Sequence, residues 1–421
     1  MKIAILTNEY PPHIYGGAGV HVEHLVRKLA ALAGRQHQIN VLCFGDQQEK
    51  TDNITVQGVN PDFPFAAQDP RHVKMFEALL RNLVMAGVLA GADIVHCHTW
   101  YTHLAGCLLQ QMLGIPLVLT THSLEPQRPW KAEQLGSGYQ AVTWLERTAY
   151  QNADGVIAVS QAIRQDVHDI YDVPLAKIRV IYNGIDTQKY RPTSDPALLA
   201  AYNIRPDKPF ILFVGRITRQ KGIIHLVQAI KYLKPGLQVV LCAGGPDTAD
   251  LGKEMAARVE QARADTENEL IWIEKFLPPE QIVALYSQAA LFVCPSVYEP
   301  FGIINLEAMA CGTPVVASAV GGIKEVVDAE TGVLVPFAPQ SRTNPEPQDP
   351  ERFARDLAAA INRLLQDPEK LQTMGLKARQ RVEQHFSWES IAQQTLDFYR
   401  ELTITSYPGY PDTLTIPPNP L

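Results

Sequence analysis

Through the first half of the chain, short runs of Ile, Val and Leu alternate with longer stretches in which apolar positions recur every three or four residues. Short runs of this kind read as buried strands and the longer stretches as amphipathic helices, so the pattern predicts a parallel sheet wrapped by helices. Strands are expected at residues 2–7, 39–44, 94–98, 117–121, 156–160 and 178–182, with helices at 20–33, 73–89, 102–113, 140–151 and 161–170. Periodicity fades between Asn183-Gly184-Ile185-Asp186 and Pro206-Asp207-Lys208-Pro209, where polar residues and prolines place a hinge. The alternation then restarts, with strands at 210–215, 238–243, 270–273, 291–294, 315–317 and 333–335 and helices at 223–233, 251–264, 279–288, 302–310 and 350–366. Two Rossmann-like α/β domains follow, over residues 1–190 and 205–386. Helices are also expected at 371–383 and 388–402, then a tail over 403–421 whose prolines leave little to pack.

One segment interrupts this pattern in a telling way. Ser296-Val297-Tyr298-Glu299-Pro300-Phe301-Gly302-Ile303-Ile304-Asn305-Leu306-Glu307 joins one strand to the next helix and sets two carboxylates into otherwise apolar surroundings. Pro300 holds Glu299 extended, and Gly302 allows the turn into a helix expected to run to about Gly312. Glu299 therefore lies at the carboxyl end of a strand, where open α/β sheets bind ligands. The helix start suits a phosphate, whereas the two carboxylates suit hydroxyl groups, and together they point to a sugar nucleotide.

Three other strand ends carry chemistry. After the first strand, Tyr15-Gly16-Gly17-Ala18-Gly19 brings backbone N–H groups close to any anion, although Gly-Gly is also an ordinary turn. After the strand at 210–215, Arg216 and Lys221 flank a tight loop and could converge on a departing diphosphate rather than on water. His122 follows the strand at 117–121 and could bond a sugar hydroxyl or be a satisfied structural histidine. His96 and His98 alternate on a strand and with His103 could suggest a metal, but no carboxylate or Cys-x-x-Cys supports one, so none is expected.

Composition narrows the partners. Apolar residues make up 46% and charged residues 19% of 421 residues, an ordinary globular balance. A net charge of −7 argues against nucleic-acid or anionic-membrane surfaces. The six cysteines are scattered, mostly in apolar runs, and read as buried free thiols. No apolar run approaches the ~18 residues a membrane span needs, and no signal peptide is evident at the start, so a cytoplasmic location is expected. A homo-oligomer is compatible with the sequence.

The joint pattern resembles the retaining glycosyltransferases of family four over residues 1 to about 402. It consists of Glu299 and Glu307 with seven residues between them, Gly215-Arg216 with Lys221-Gly222, the Gly16-Gly17 loop and Asn183-Gly184-Ile185-Asp186. Asn8-Glu9-Tyr10-Pro11-Pro12 and His96-Cys97-His98-Thr99-Trp100-Tyr101 are similar to the short, actinobacterial-type glycogen synthases of that family. Ile14 and Thr99 stand where longer bacterial glycogen synthases carry a lysine and an aspartate. The resemblance implies a GT-B fold, two Rossmann-like domains across a cleft, with a last helix at about 387–402 completing the first. It implies glucosyl transfer from ADP-glucose or UDP-glucose to an α-1,4-glucan or to glucose 1-phosphate, without cofactor or metal. It also implies that Arg216 and Lys221 hold the diphosphate with Gly16 and Gly17, that Glu299 and His122 bind the donor sugar, and that Glu307 binds the ribose, beside Phe301, Gly302 and Ile303. A sucrose-type acceptor, a sugar-nucleotide epimerase or hydrolase, a phosphorylase and a non-enzymatic sensor are the alternatives, and donor turnover without acceptor would mark the epimerase or hydrolase.

Overall fold

The computed structural model describes residues 1–32, 36–61 and 66–405. The first sheet has eight strands: β1 (Lys2–Thr7), β2 (Gln38–Phe44), β3 (Gln48–Lys50), β4 (Ile54–Val59), β5 (Ile94–His98), β6 (Leu117–Thr121), β7 (Gly155–Ala158) and β8 (Ile178–Val180). Their order is β3-β4-β2-β1-β5-β6-β7-β8, parallel except for β3 against β4. The second sheet has six parallel strands, β9 (Phe210–Arg216), β10 (Gln238–Gly244), β11 (Glu269–Ile273), β12 (Leu291–Cys294), β13 (Val315–Ser318) and β14 (Gly332–Val335). Their order is β11-β10-β9-β12-β13-β14. Strand order reverses between β1 and β5 and between β9 and β12, so a ligand crevice opens beyond the carboxyl ends at each place.

The inner strands are apolar because helices cover both faces. Every residue of β5, β6, β7, β12 and β13 is buried. Strands β3 and β4 were not expected from the pattern. Gln48-Glu49-Lys50 is fully exposed at the sheet edge, and in Ile54–Val59 a glycine and two polar residues dilute the apolar signal.

Several boundaries differ from expectation. Helix Gly17–Ala31 starts earlier than expected, with Gly16 as its extended N-cap. The segment expected as a bare linker contains helix Pro196–Ala201, capped by Asp195, with Leu198 and Leu199 buried. The chain crosses between the sheets at Ile185 and again at Ser387, and these two crossings pair as a parallel bridge with Ile185 N–H donating to Phe386 O at 3.0 Å. The last helix, Trp388–Thr405, packs Trp388, Ile391, Leu396 and Tyr399 into the core around β1, and His24 stacks on Trp388 at 5.1 Å. It continues into the tail as far as residue 405, and residues 406–421 lie outside the described residues.

The two halves touch through polar and aromatic contacts. Ser160 Oγ donates to Pro300 O at 2.7 Å, Leu124 N–H to Tyr298 Oη at 3.0 Å, and Gln161 and Ala162 N–H to the Glu325 carboxylate at 3.0 and 3.3 Å. Tyr182 stacks on Phe301 at 5.6 Å. These contacts set the loops beyond β6 and β12 against each other.

Candidate active site

The loop after β9 and the loop after β12 meet in an ion pair. Lys221 Nζ donates to Glu299 Oε2 at 2.7 Å, and Ser296 Oγ donates to the same oxygen at 3.2 Å. Gly222 makes this approach possible: its φ is +61°, and a Cβ there would lie 2.0 Å from Pro295 O. Burial, the largest single influence, lowers the Lys221 ammonium, but the charge of Glu299, its hydrogen bond and the nearby Cys294 and Glu307 together raise its pKa above the usual lysine value. Lys221 is thus a fixed cation at neutral pH, aimed into the cleft beside a carboxylate. Arg216, at the end of β9, pairs with Asp247 at 2.6 Å and keeps 44% of its side chain exposed. Its charge reaches Tyr101 and Lys131 of the first half, which places it facing across the cleft.

Glu307 is held by two tyrosines, Tyr190 Oη donating at 2.9 Å and Tyr286 Oη at 3.0 Å. Burial raises its pKa, and the two hydroxyl donors oppose that rise. The field of Glu307 is felt at Lys221, so Glu299, Lys221 and Glu307 share one region. Gly302 (φ +103°) precedes helix Ile303–Ala310, and a Cβ there would meet Asn305 Nδ2 at 2.5 Å. Ile303 is half-buried and reaches the Gly17 backbone of the first half: a Cβ on Gly17 would meet Ile303 Cδ1 at 3.3 Å.

Two expectations need correction. Phe301 is buried between Tyr182 and Phe386, so its side chain belongs to the core and only its backbone can face a ligand. In the glycine loop, the N–H groups of Tyr15 and Gly16 donate to Glu9 Oε2 at 2.9 and 2.8 Å. Gly16 is therefore occupied by a carboxylate of the chain itself, whereas Gly17 opens the helix.

His122 is half-buried, next to the Leu124–Tyr298 bond between the halves. Its Nε2 bonds His98 Nδ1 at 3.0 Å, and His21 packs edge-on at 4.9 Å with its own Nδ1 on Asn183 Oδ1 at 2.6 Å. The three rings bring one nitrogen each within 4.8 Å of one another. Burial is the main cause lowering all three pKa values, to about 4 for His21, so the rings are neutral and the His98–His122 contact is one shared proton between two imidazoles.

The residues missed from sequence are Ser296, Tyr190, Tyr286, Asp247 and Glu9, each of which orients a predicted group. Tyr286 reads as an apolar position of helix Pro279–Gln288, and Tyr190 lies 117 residues before its partner, so neither pairing leaves a local signal.

The comparisons with known proteins bear on the family and the fold. Residues 15–189 match the Glycosyltransferase Family 4 model, and residues 195–381 match Glycosyl transferases group 1. The chain is a family 4 glycosyltransferase. This glycosyltransferase is 44% identical over 412 residues to an α-maltose-1-phosphate synthase from Mycolicibacterium smegmatis, covering 96% of this chain and 100% of that one. It is 31% identical over 431 residues to a glycogen synthase from Mycobacterium tuberculosis, covering 95% and 94% of the two chains. The solved sucrose-phosphate synthase from Thermosynechococcus elongatus superposes with a TM-score of 0.75 at 27% identity, over 96% and 99% of the chains. The glycosyltransferase has the GT-B architecture: two parallel-sheet domains whose crevices face one cleft. Among the described residues, no helix is long and apolar enough to cross a membrane.

Proposed function

We propose that this enzyme moves glucose from ADP-glucose or UDP-glucose to the 4-hydroxyl of glucose 1-phosphate, with retention, giving maltose 1-phosphate and a nucleoside diphosphate. The observation that carries this reading is the likeness to the maltose-1-phosphate synthase, 44% identical along that protein's whole length. The cleft chemistry is consistent with it. Lys221 and Arg216 take up the negative charge that develops on the departing diphosphate, a fixed electrostatic stabilisation that needs no reorganisation during the reaction. Gly17 adds a backbone donor from the opposite domain, and the backbone at 301–303 adds the helix start. Glu299, oriented by Lys221 and Ser296, accepts hydrogen bonds from the donor sugar, and neutral His122 bonds its outer hydroxyl. Glu307, oriented by Tyr190 and Tyr286, accepts from the ribose. The bond from glucose C1 to the diphosphate breaks as the acceptor oxygen bonds C1 on the same face, and the leaving phosphate takes the acceptor proton.

A second reading is elongation of an α-1,4-glucan, favoured by the 31% identity to a glycogen synthase. The test offers ADP-glucose and UDP-glucose against glucose 1-phosphate, glycogen and fructose 6-phosphate, and follows nucleoside diphosphate release. Release that depends on glucose 1-phosphate supports the proposal. Release with glycogen alone selects the second reading, and release without any acceptor points to a hydrolase.

A further inference from the structure

Two cations in the segment after β6 are left unused by the donor site. Lys131 N–H donates to Arg128 O at 2.9 Å, so both side chains leave one turn of chain. Arg128 is 18% exposed; its Nη1 meets Glu125 Oε1 at 2.9 Å and Ser123 Oγ at 3.3 Å, while its Nε is buried without a partner among the described residues. Lys131 is half-buried and donates to Gln134 Oε1 at 2.8 Å, and no carboxylate lies within 4.0 Å of it among the described residues. Burial first, and then the charge of Arg128, pushes its ammonium down to about 8, with Arg216 adding a smaller push and Glu125 and Asp247 opposing. Arg128 has Glu125 as its counter-charge, whereas the half-buried Lys131 ammonium touches no carboxylate and is the place where an anion would be held.

The turn also faces the cleft. Arg219 of the second domain approaches Glu133 at 3.7 Å, which brings the basic loop after β9 up to it. Tyr101, stacked on Trp100 at 4.1 Å, feels the charge of Glu125 and, against it, those of Arg128 and Arg216, so an aromatic surface adjoins this charged turn. Lys221 and Arg216 come from the opposite domain and are matched to the donor. The remaining pair therefore suits a second phosphate on the acceptor side.

We propose that Arg128 and Lys131 form the subsite for the phosphate of a hexose 1-phosphate acceptor, with Tyr101 beside the sugar ring. Resting on the acceptor reading above, this subsite explains how the enzyme separates a phosphorylated hexose from a neutral glucan: the glucan leaves Lys131 without its anion.

The test compares wild type, Lys131→Met and Lys131→Arg, with glucose 1-phosphate as acceptor and inorganic phosphate as competitor. Arg128 is too tightly tied to Glu125 to be a clean target. Losing one charge-assisted contact raises KM for glucose 1-phosphate on the order of ten- to a hundredfold in Lys131→Met. KM for the nucleotide sugar moves far less, Lys131→Arg recovers most of the loss, and inorganic phosphate competes with glucose 1-phosphate more weakly in Lys131→Met than in wild type. An unchanged KM for glucose 1-phosphate in Lys131→Met, or equal inhibition by phosphate in both proteins, overturns the subsite while leaving the acceptor reading intact. A wild type that extends glycogen and makes no maltose 1-phosphate overturns the acceptor reading, and the subsite with it.

Discussion

Replacing Lys221 by Met keeps the stem that passes Gly215 and deletes only the charge. Two separate losses follow. The leaving diphosphate loses a charge-assisted contact of ~1.5 to 3 kcal/mol, which is roughly ten- to a hundredfold in kcat/KM for the donor. Glu299 loses its counter-ion too: its side chain is 8% exposed and only Ser296 Oγ, at 3.2 Å, still meets Oε2. Breaking one side of a buried pair costs about 3 to 5 kcal/mol. Because 21% of the Lys221 side chain is exposed, the lower end of that range applies. The double variant Lys221→Met/Glu299→Gln separates the two effects, since it removes the stranded charge as well. Urea unfolding followed by circular dichroism, beside steady-state kinetics with ADP-glucose and UDP-glucose, reads both. Lys221→Met is expected to be less stable and slow, and the double variant to recover stability but not turnover. Wild-type kcat/KM in Lys221→Met, or recovered turnover in the double variant, would refute the reasoning by reducing Lys221 to a partner for Glu299.

Three further outcomes are expected. Gly222→Ala forces φ +61° on a residue with a Cβ and drives that atom against Pro295 O, so it should cost about 1 to 3 kcal/mol and displace Lys221; unaltered stability and kinetics would contradict the loop geometry. Glu325→Ala leaves the Gln161 and Ala162 N–H groups of helix Gln161–Tyr171 without their carboxylate across the domain contact, Ser160 remaining its N-cap, and should cost about 0.5 to 2 kcal/mol by urea unfolding, with no loss expected if the contact is incidental. Acid should destabilise the first domain. His21 is pushed down to about 4 and His96 and His103 to about 3, chiefly by burial, from an ordinary 6.5. In that window the unfolded chain binds protons that the folded chain refuses, so stability is full above about pH 6.5. It falls with pH by ~1.4 kcal/mol per unit per histidine. Unfolding free energy that stays flat from pH 7 to 5 would show these rings to be protonated in the fold.

The repeated alternation of strand and helix was legible because parallel strands buried on both faces are continuous apolar runs, as in Leu291–Cys294 and Val315–Ser318. The edge escaped: Gln48–Lys50 has no apolar residue, since it buries nothing. At the site, Glu299 and Lys221 were readable as charges at strand ends, where side chains have a known direction. Their direct pairing across 78 residues was not, because it depends on how two loops fold against each other. Phe301 shows the opposite case: the resemblance sets it beside the ligand, yet the crossing near Phe386 buries its side chain. The histidine cluster needed three elements at once, His21 from a helix, His98 from β5 and His122 after β6, and only the register of β5 on β6 brings the last two together.

The most direct measurement is the structure of the product. With α-linked ADP-glucose or UDP-glucose and glucose 1-phosphate, proton and phosphorus NMR of the reaction mixture should show a new α-1,4 linkage in a disaccharide that still carries its phosphate, formed in step with nucleoside diphosphate. A β linkage, or free glucose in place of the disaccharide, would contradict the account.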